Sequence, residues 1–196
     1  MDATHDTGPR AVRPEADATA SAPALLLRPW RVEDAAGVAE AYRDPALRRR
    51  ASATVRDETE ALRRLRTRHD GRETGERLAF AVLQARPDGG GEGRSAGHVV
   101  LKAPHGPEPE VGYWTAAPAR GRGVAPRALG ALTHWAFTAL PEVTRLRLLH
   151  TAANTASCRV AERAGYGFEA ELLPAPTEFP SEGHLHVRTV SGRAPA

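Results

Sequence analysis

Residues 110–137, EVGYWTAAPARGRGVAPRALGALTHWAF, constrain this chain more than any other stretch, because a strand-like run passes into an apolar helix through a turn of small residues. In that turn Arg120, Gly121, Arg122, Gly123, Val124 and Ala125 leave room for a bulky anion to reach main-chain N–H groups. Pro126 follows where a helix begins; proline is favoured in a first turn because its missing N–H has no intrahelical partner to lose. The turn therefore ends in a helix N-terminus carrying about half a positive charge, with two arginines beside it. It is expected to hold an anion such as a pyrophosphate.

Two nucleotide-binding alternatives fail on residue type. A P-loop ends in Gly-Lys-Ser/Thr, yet Lys102 is the only lysine in the chain. A dinucleotide fingerprint needs a third glycine three places after the second, where Pro126 stands, and an acidic strand end about 20 residues later that is missing here. The turn instead resembles the acetyl-coenzyme A loop of the GNAT N-acetyltransferases, Gln/Arg-x-x-Gly-x-Gly/Ala, carried here on Arg120, Gly123 and Ala125.

A second resemblance lies downstream. After the strand-like run 145–151, RLRLLHT, come Asn154, Ser157, Val160, Ala161, Glu162, Arg163, Gly165 and Tyr166. They are similar to the family's Asn-x-x-Ser-x-x-(Val/Leu)-(Ala/Tyr)-Glu-(Lys/Arg)-x-Gly-(Phe/Tyr) signature, in the version of the RimJ/RimL-like branch that acetylates ribosomal-protein N-termini. With the opening run LLLRPWRVEDAAGVAEAYRD, the resemblance covers roughly residues 25–190. It implies an α/β fold with a mixed central sheet of about six to seven strands flanked by about four helices, and acetyl-coenzyme A as cosubstrate.

Carried over residue by residue, the resemblance gives Arg120, Gly121, Arg122, Gly123, Val124 and Ala125 to the diphosphate. Asn154 and Ser157 go to the pantetheine arm, and main-chain donors near Trp114, Thr115 and Ala116 to the oxyanion. Glu110 is the first candidate for the base and His150 the second. Many family members place a tyrosine seven residues after the motif asparagine, where this chain has Ala161. Ser157 is then the candidate acid that assists the departing thiol. Strand alternation predicts Glu110, Gly112 and Trp114 on one side and Val111, Tyr113 and Thr115 on the other.

Composition agrees with one domain. A length of 196 residues and 41% hydrophobic content are enough for a single core, and no run approaches the roughly 20 apolar residues that span a bilayer. Residues 1–24 mix acids, arginines and prolines without the apolar stretch of a secretory signal, and are expected to be a disordered tail. The domain is expected over 25–190, followed by a short tail at 191–196. The lone Cys158 excludes an intrachain disulfide framework, suggests a cytoplasmic setting, and reads as an apolar filler. His184 and His186 border the acceptor pocket or sit in surface roles, and no metal ligand set is assigned.

The net charge of +3 rests almost wholly on arginine. Residues 43–68 concentrate Arg48, Arg49, Arg50, Arg56, Arg63, Arg64, Arg66 and Arg68 without aromatic residues for base stacking. A solvated helix face is the favoured reading over an RNA or ribosome contact, so nucleic acid is not expected as a partner. The expected partners are acetyl-coenzyme A and an amine acceptor, either a peptide N-terminus or a small molecule; a homodimer stays open. A noncatalytic acyl-coenzyme A binding module is the competing function.

Periodicity predicts strands near 25–28, 78–84, 97–102, 110–115, 145–151, 168–172 and 184–190. Helices are predicted from about 32, over 57–69, from 126 to about 140, and over 156–164. A flexible connection, PDGGGEGRSAG, joins the second and third strands. The acceptor pocket is expected from the first two helices, the loop at 103–110 and the segment 173–183, where Glu171, Glu178 and Glu182 offer charge to a cationic amine.

Overall fold

The computed structural model describes residues 14–50, 55–86, 91–174 and 181–190. Among them, eight strands form one sheet: β1 Glu15–Ala16, β2 Leu25–Pro29, β3 Arg77–Ala85, β4 Glu92–Lys102, β5 Glu110–Thr115, β6 Arg145–Thr151, β7 Gly167–Leu172 and β8 Gly183–Thr189. The helices are α1 Ala35–Ala41, α2 Pro45–Arg50, α3 Glu58–Glu73, α4 Val124–Ala139 and α5 Thr155–Arg163, with 3-10 turns at Val32–Asp34 and Ala117–Ala119. The mixed α/β sheet agrees with expectation, with one strand and one helix more than the upper counts predicted.

The strand order is β1-β2-β3-β4-β5-β6-β8-β7, antiparallel throughout except for β5 beside β6. That parallel pair follows from α4, because parallel neighbours need a crossover connection long enough to hold a helix. Strand β3 is buried from Leu78 to Leu83 without a break. Its continuous apolar run is what a central strand covered on both faces requires.

Two cores cover the two faces. Leu27, Phe80, Leu101, Val111 and Leu148 meet Leu129, Leu132 and Ala136 of α4 and Ala161 of α5 in the larger core. Ala35, Val38 and Tyr42, with Ala61 and Leu65 of α3, form the smaller one, with Trp30 and Trp114 packed against it. Helix α4 buries Val124, Ala128, Leu129, Leu132, Trp135 and Ala136, a stripe at helical spacing.

The expected disorder of residues 1–24 does not extend to 14–24. Glu15 and Ala16 pair with Leu26 and Leu25, the Leu27 N–H donates to the Pro14 carbonyl at 2.9 Å, and Arg127 of α4 donates to the carbonyls of Asp17 (2.5 Å) and Pro23 (2.9 Å). Residues 1–13 and 191–196, and Glu178, lie outside the described residues. Strand β4 starts five residues earlier than predicted, so most of the expected flexible connection is strand. Glu92 at its start accepts from Arg28 Nε at 2.8 Å.

In the arginine-rich segment Arg48, Arg49, Arg56, Arg63 and Arg66 are exposed, as a solvated face requires, and Arg64 and Arg68 depart from it. Arg68 is buried with its guanidinium 5.0 Å from the Trp30 ring centroid, and Arg64 lies 5.6 Å from that of Tyr42. Burial pushes the Arg68 pKa down to about 10. No helix among the described residues is long and apolar enough to cross a membrane.

Candidate active site

Strand β5 is paired with β4 along its whole length, from Glu110↔Lys102 to Thr115↔Gly97. Strand β6 is likewise paired throughout with β8. Between them, β5 and β6 share only Glu110↔Arg147 and Val111↔Leu148. Each strand keeps its outer neighbour, so pairing ends at Val111 and a wedge opens beside residues 112–115.

The direction of each amide along β5 follows from the register. The Ala116 N–H donates to the Ala96 carbonyl at 2.9 Å, and the Pro109 carbonyl on the other edge accepts from the Arg147 N–H at 3.0 Å. Alternation then turns the amides of Trp114 and Ala116 toward β4 and those of Tyr113 and Thr115 toward the wedge. Of the three expected main-chain donors, Thr115 alone turns its amide to the wedge, together with Tyr113, whereas Trp114 and Ala116 turn theirs to β4.

At the wedge's side, Asn154 Nδ2 donates to Ser157 Oγ at 2.8 Å, and Ser157 Oγ lies 2.9 Å from the Tyr113 hydroxyl. Asn154 is the N-cap of α5, yet its side chain makes no capping bond, and Ser157 sits three residues into the helix with 6% exposure. Asn154 Oδ1 is buried with no hydrogen-bond partner. A buried carbonyl oxygen without a donor is costly, and a pantetheine amide N–H has the chemistry to satisfy it. The sequence motifs give Tyr113 no role, although alternation predicts it on the face opposite Trp114; its contact with Ser157 spans 44 residues of chain.

The wedge leads to the glycine turn. Gly121 and Gly123 have φ of 74° and 69°, in the left-handed region that side chains disfavour, and Gly123 is the N-cap of α4. Helix α4 starts at Val124, two residues before the predicted Pro126, so Val124 and Ala125 offer their amides at its exposed N-terminus. Arg120 is turned back: its guanidinium pairs with Asp44, and its Nε donates to the Thr115 carbonyl at 3.2 Å. Arg122 borders an open cleft of about 620 Å³ beside residues 18–23.

The two candidate bases differ in their surroundings. Glu110 shares the face of Trp114, and its Oε1 pairs with Lys102. His150 faces α5 and is 8% exposed; its Nδ1 lies 2.9 Å from the Thr151 carbonyl and its Nε2 3.7 Å from Cys158 Sγ. Both ring nitrogens thus have neighbours within the protein. Burial first, then the fields of His186 and His184, holds its pKa below the ordinary histidine value against the Thr151 bond.

The α1/α3 face beside Glu110 is aromatic. Trp114 stacks on Trp30 at 6.1 Å and meets Tyr42 edge-on at 6.1 Å. Trp30 Nε1 donates to His98 Nδ1 at 3.0 Å, and burial, reinforced by Arg68, keeps His98 neutral. Tyr113 and Trp114 therefore serve opposite faces of the sheet, as alternation predicts.

A model of the acetyltransferase (GNAT) domain matches residues 24–167. Among solved structures, a Vibrio cholerae protein described as a ribosomal-protein-serine acetyltransferase is 19% identical, with 94% of this chain and 100% of that one covered and a TM-score of 0.74. Mycobacterium smegmatis RimJ, in complex with a CoA-disulfide, is 21% identical over 86% of this chain and 83% of its own, at a TM-score of 0.72. RimL, a ribosomal L7/L12 alpha-N-protein acetyltransferase in complex with coenzyme A, is 17% identical over 91% and 99%, at 0.73. At such identities the likeness shows the fold. Among curated protein sequences, none matches this chain. The domain match spans β2 to the start of β7, taking in the wedge, the glycine turn and α5, and the chain accordingly belongs to the GNAT acetyltransferase family.

Proposed function

We propose that this acetyltransferase moves the acetyl group of acetyl-coenzyme A directly to a primary amine, and that the amine is the N-terminus of a protein. The observation that carries the reading is that β5 bears Glu110 on one face and Tyr113, bonded to Ser157, on the other, with the wedge along its edge. Proton acceptance from the amine and proton donation to the departing sulfur are thereby assigned to opposite sides of one strand.

The diphosphate is assigned to Gly121, Gly123 and the first amides of α4, the pantetheine to the edge of β5 and Asn154 Oδ1, and the thioester oxygen to the Thr115 and Tyr113 amides. One such oxyanion donor contributes about 2.7–4 kcal/mol. Holding amine and thioester together contributes about 7–11 kcal/mol, against about 10²–10⁴-fold for a general base. The activity therefore depends more on the wedge than on Glu110. The preference for a protein N-terminus rests on Ser157, which takes the position used in the RimJ/RimL-like branch, and on folds shared with ribosomal-protein acetyltransferases.

Thiol release from acetyl-coenzyme A tests the reading, with peptides having free or blocked N-termini and with polyamines and aminoglycosides as acceptors. Turnover confined to free N-termini is expected. Turnover with small amines alone overturns the acceptor, and coenzyme A binding without product from every amine favours the noncatalytic module.

A further inference from the structure

Three imidazoles and one thiol converge behind the candidate acid. His150 on β6 is the cross-strand partner of His184 on β8, and His186 lies two residues further along β8 on the same face. Cys158 of α5 sits over them, its Sγ 3.3 Å from His184 Nδ1 and 3.7 Å from His150 Nε2. One ligand atom from each of the four residues lies within 4.8 Å of all the others. Bonds of about 2.0–2.3 Å from a tetrahedral zinc ion would hold its ligands about 3.5 Å apart, and the two Sγ distances bracket that value.

Two further observations point to a ligand. His186 is 1% exposed, and neither of its ring nitrogens has a hydrogen-bond partner. The Tyr166 carbonyl lies near the ring without hydrogen-bond geometry. His150 Nδ1 sits against the Thr151 carbonyl, the bond by which ligating histidines are commonly oriented, leaving the Nε2 lone pair toward the cluster. Phe168 lies edge-on to His184 and His186 at 5.4 and 5.7 Å, while itself 56% exposed, so the cluster is shielded by one surface ring.

We propose that His150, Cys158, His184 and His186 form a tetrahedral site for one zinc-class divalent ion. Four protein ligands fill the coordination sphere, the arrangement of a structural rather than a catalytic zinc. The ion would clamp α5 to β6 and β8, and Cys158 is the immediate neighbour of Ser157. The clamp thus fixes the helix that carries the candidate acid and revises the reading of Cys158 as a filler.

The untagged full-length chain, stripped with chelator and kept reduced, is titrated with Co²⁺ and then Zn²⁺. One Co²⁺ per chain is expected, with the intense visible bands of tetrahedral cobalt and a near-ultraviolet thiolate-to-cobalt band, both displaced by Zn²⁺. Cys158→Ala removes the thiolate band. His184→Ala, at a half-buried position, weakens the site by more than the about 10–100-fold that losing an outer-shell partner costs. Wild-type protein without the thiolate band overturns the site, as does equal, unaltered cobalt binding by a folded Cys158→Ala variant. None of these readouts depends on acetyl transfer.

Discussion

The Tyr113 hydroxyl on β5 stands 2.9 Å from the Ser157 hydroxyl on α5, while Asn154 Nδ2 donates to the same serine oxygen at 2.8 Å. With Asn154 fixed as donor, Tyr113 donating in turn leaves the serine proton for a third group. The phenol that many family members carry on this helix is replaced by buried Ala161, and here a phenol reaches the serine from the neighbouring strand instead.

Ser157→Ala is expected to lower kcat by about 10²–10⁴-fold, the range of a positioned proton donor, with the KM for acetyl-coenzyme A little changed. Tyr113→Phe keeps the ring in the core and is expected to cost about tenfold in kcat, about 1.4 kcal/mol. Steady-state kinetics with a peptide acceptor separates the two parameters. A change in KM alone would make Ser157 a coenzyme contact and not an acid.

Gly123→Val tests the turn. With φ of 69° at the N-cap of α4, a side chain in the left-handed region costs roughly 1–2 kcal/mol, and a β-branched one more. A Cβ there meets nothing closer than Arg127 Cδ at 4.0 Å, so the strain is in the backbone and not in packing. Calorimetry with coenzyme A is expected to show affinity reduced at least about tenfold, the equivalent of about 1.4 kcal/mol. Unchanged affinity would remove the turn from the binding site.

Arg28 ties three elements together. It is 5% exposed and donates to both oxygens of Asp34, at 2.8 and 2.9 Å, and to Glu92 at 2.8 Å. Burial would raise the Asp34 pKa, but the bonds from Arg28 and the Arg31 amide overcome it and hold the carboxyl below its ordinary value. Arg28→Met is expected to destabilise the fold by about 1.5–3 kcal/mol at pH 7. Because the folded pKa is depressed, the unfolded chain binds the proton first as pH falls. The contribution is therefore complete above about pH 4 and lost below it. Denaturant unfolding of both proteins at pH 7 and pH 3 should show the gap closing in acid; a gap that widens there would contradict the assignment.

The strands β5 and β6 were legible to the residue because each is a short alternating run bounded by proline, charge or small residues, and α4 to within two residues because its apolar stripe repeats at helical spacing. Strand β1 was not, since two residues in an alanine-rich arm have no periodicity, and pairing with β2 and the packing of Ala16 against the larger core hold them. Helix α2, PALRRR, is too short to show a stripe. The glycine turn and the Asn154 and Ser157 pair are local motifs and could be read directly. Which amides face the wedge depends on strand register, which sequence does not carry, and the four-residue histidine and cysteine cluster joins positions that only the β6–β8 pairing brings together.

Asp44 and Arg120 give the last test. Asp44 accepts from the Ala46 and Leu47 amides at 3.0 and 3.2 Å, starting α2, and its carboxylate also takes the Arg120 guanidinium. Hydrogen bonding to Arg120, against a smaller effect of burial, holds its pKa below the ordinary value, so the pair is ionised at neutral pH and competes with any diphosphate for Arg120. Asp44→Asn keeps an acceptor oxygen for the helix start but removes the competing charge. Exposed ion pairs are worth up to about 1 kcal/mol, so coenzyme A should bind up to about fivefold more tightly to the variant at low salt, with the gain shrinking as salt screens the charges. Weaker binding by Asp44→Asn would mean that Asp44 holds Arg120 in its working position, and that the arginine's task is to brace the Thr115 carbonyl at the wedge.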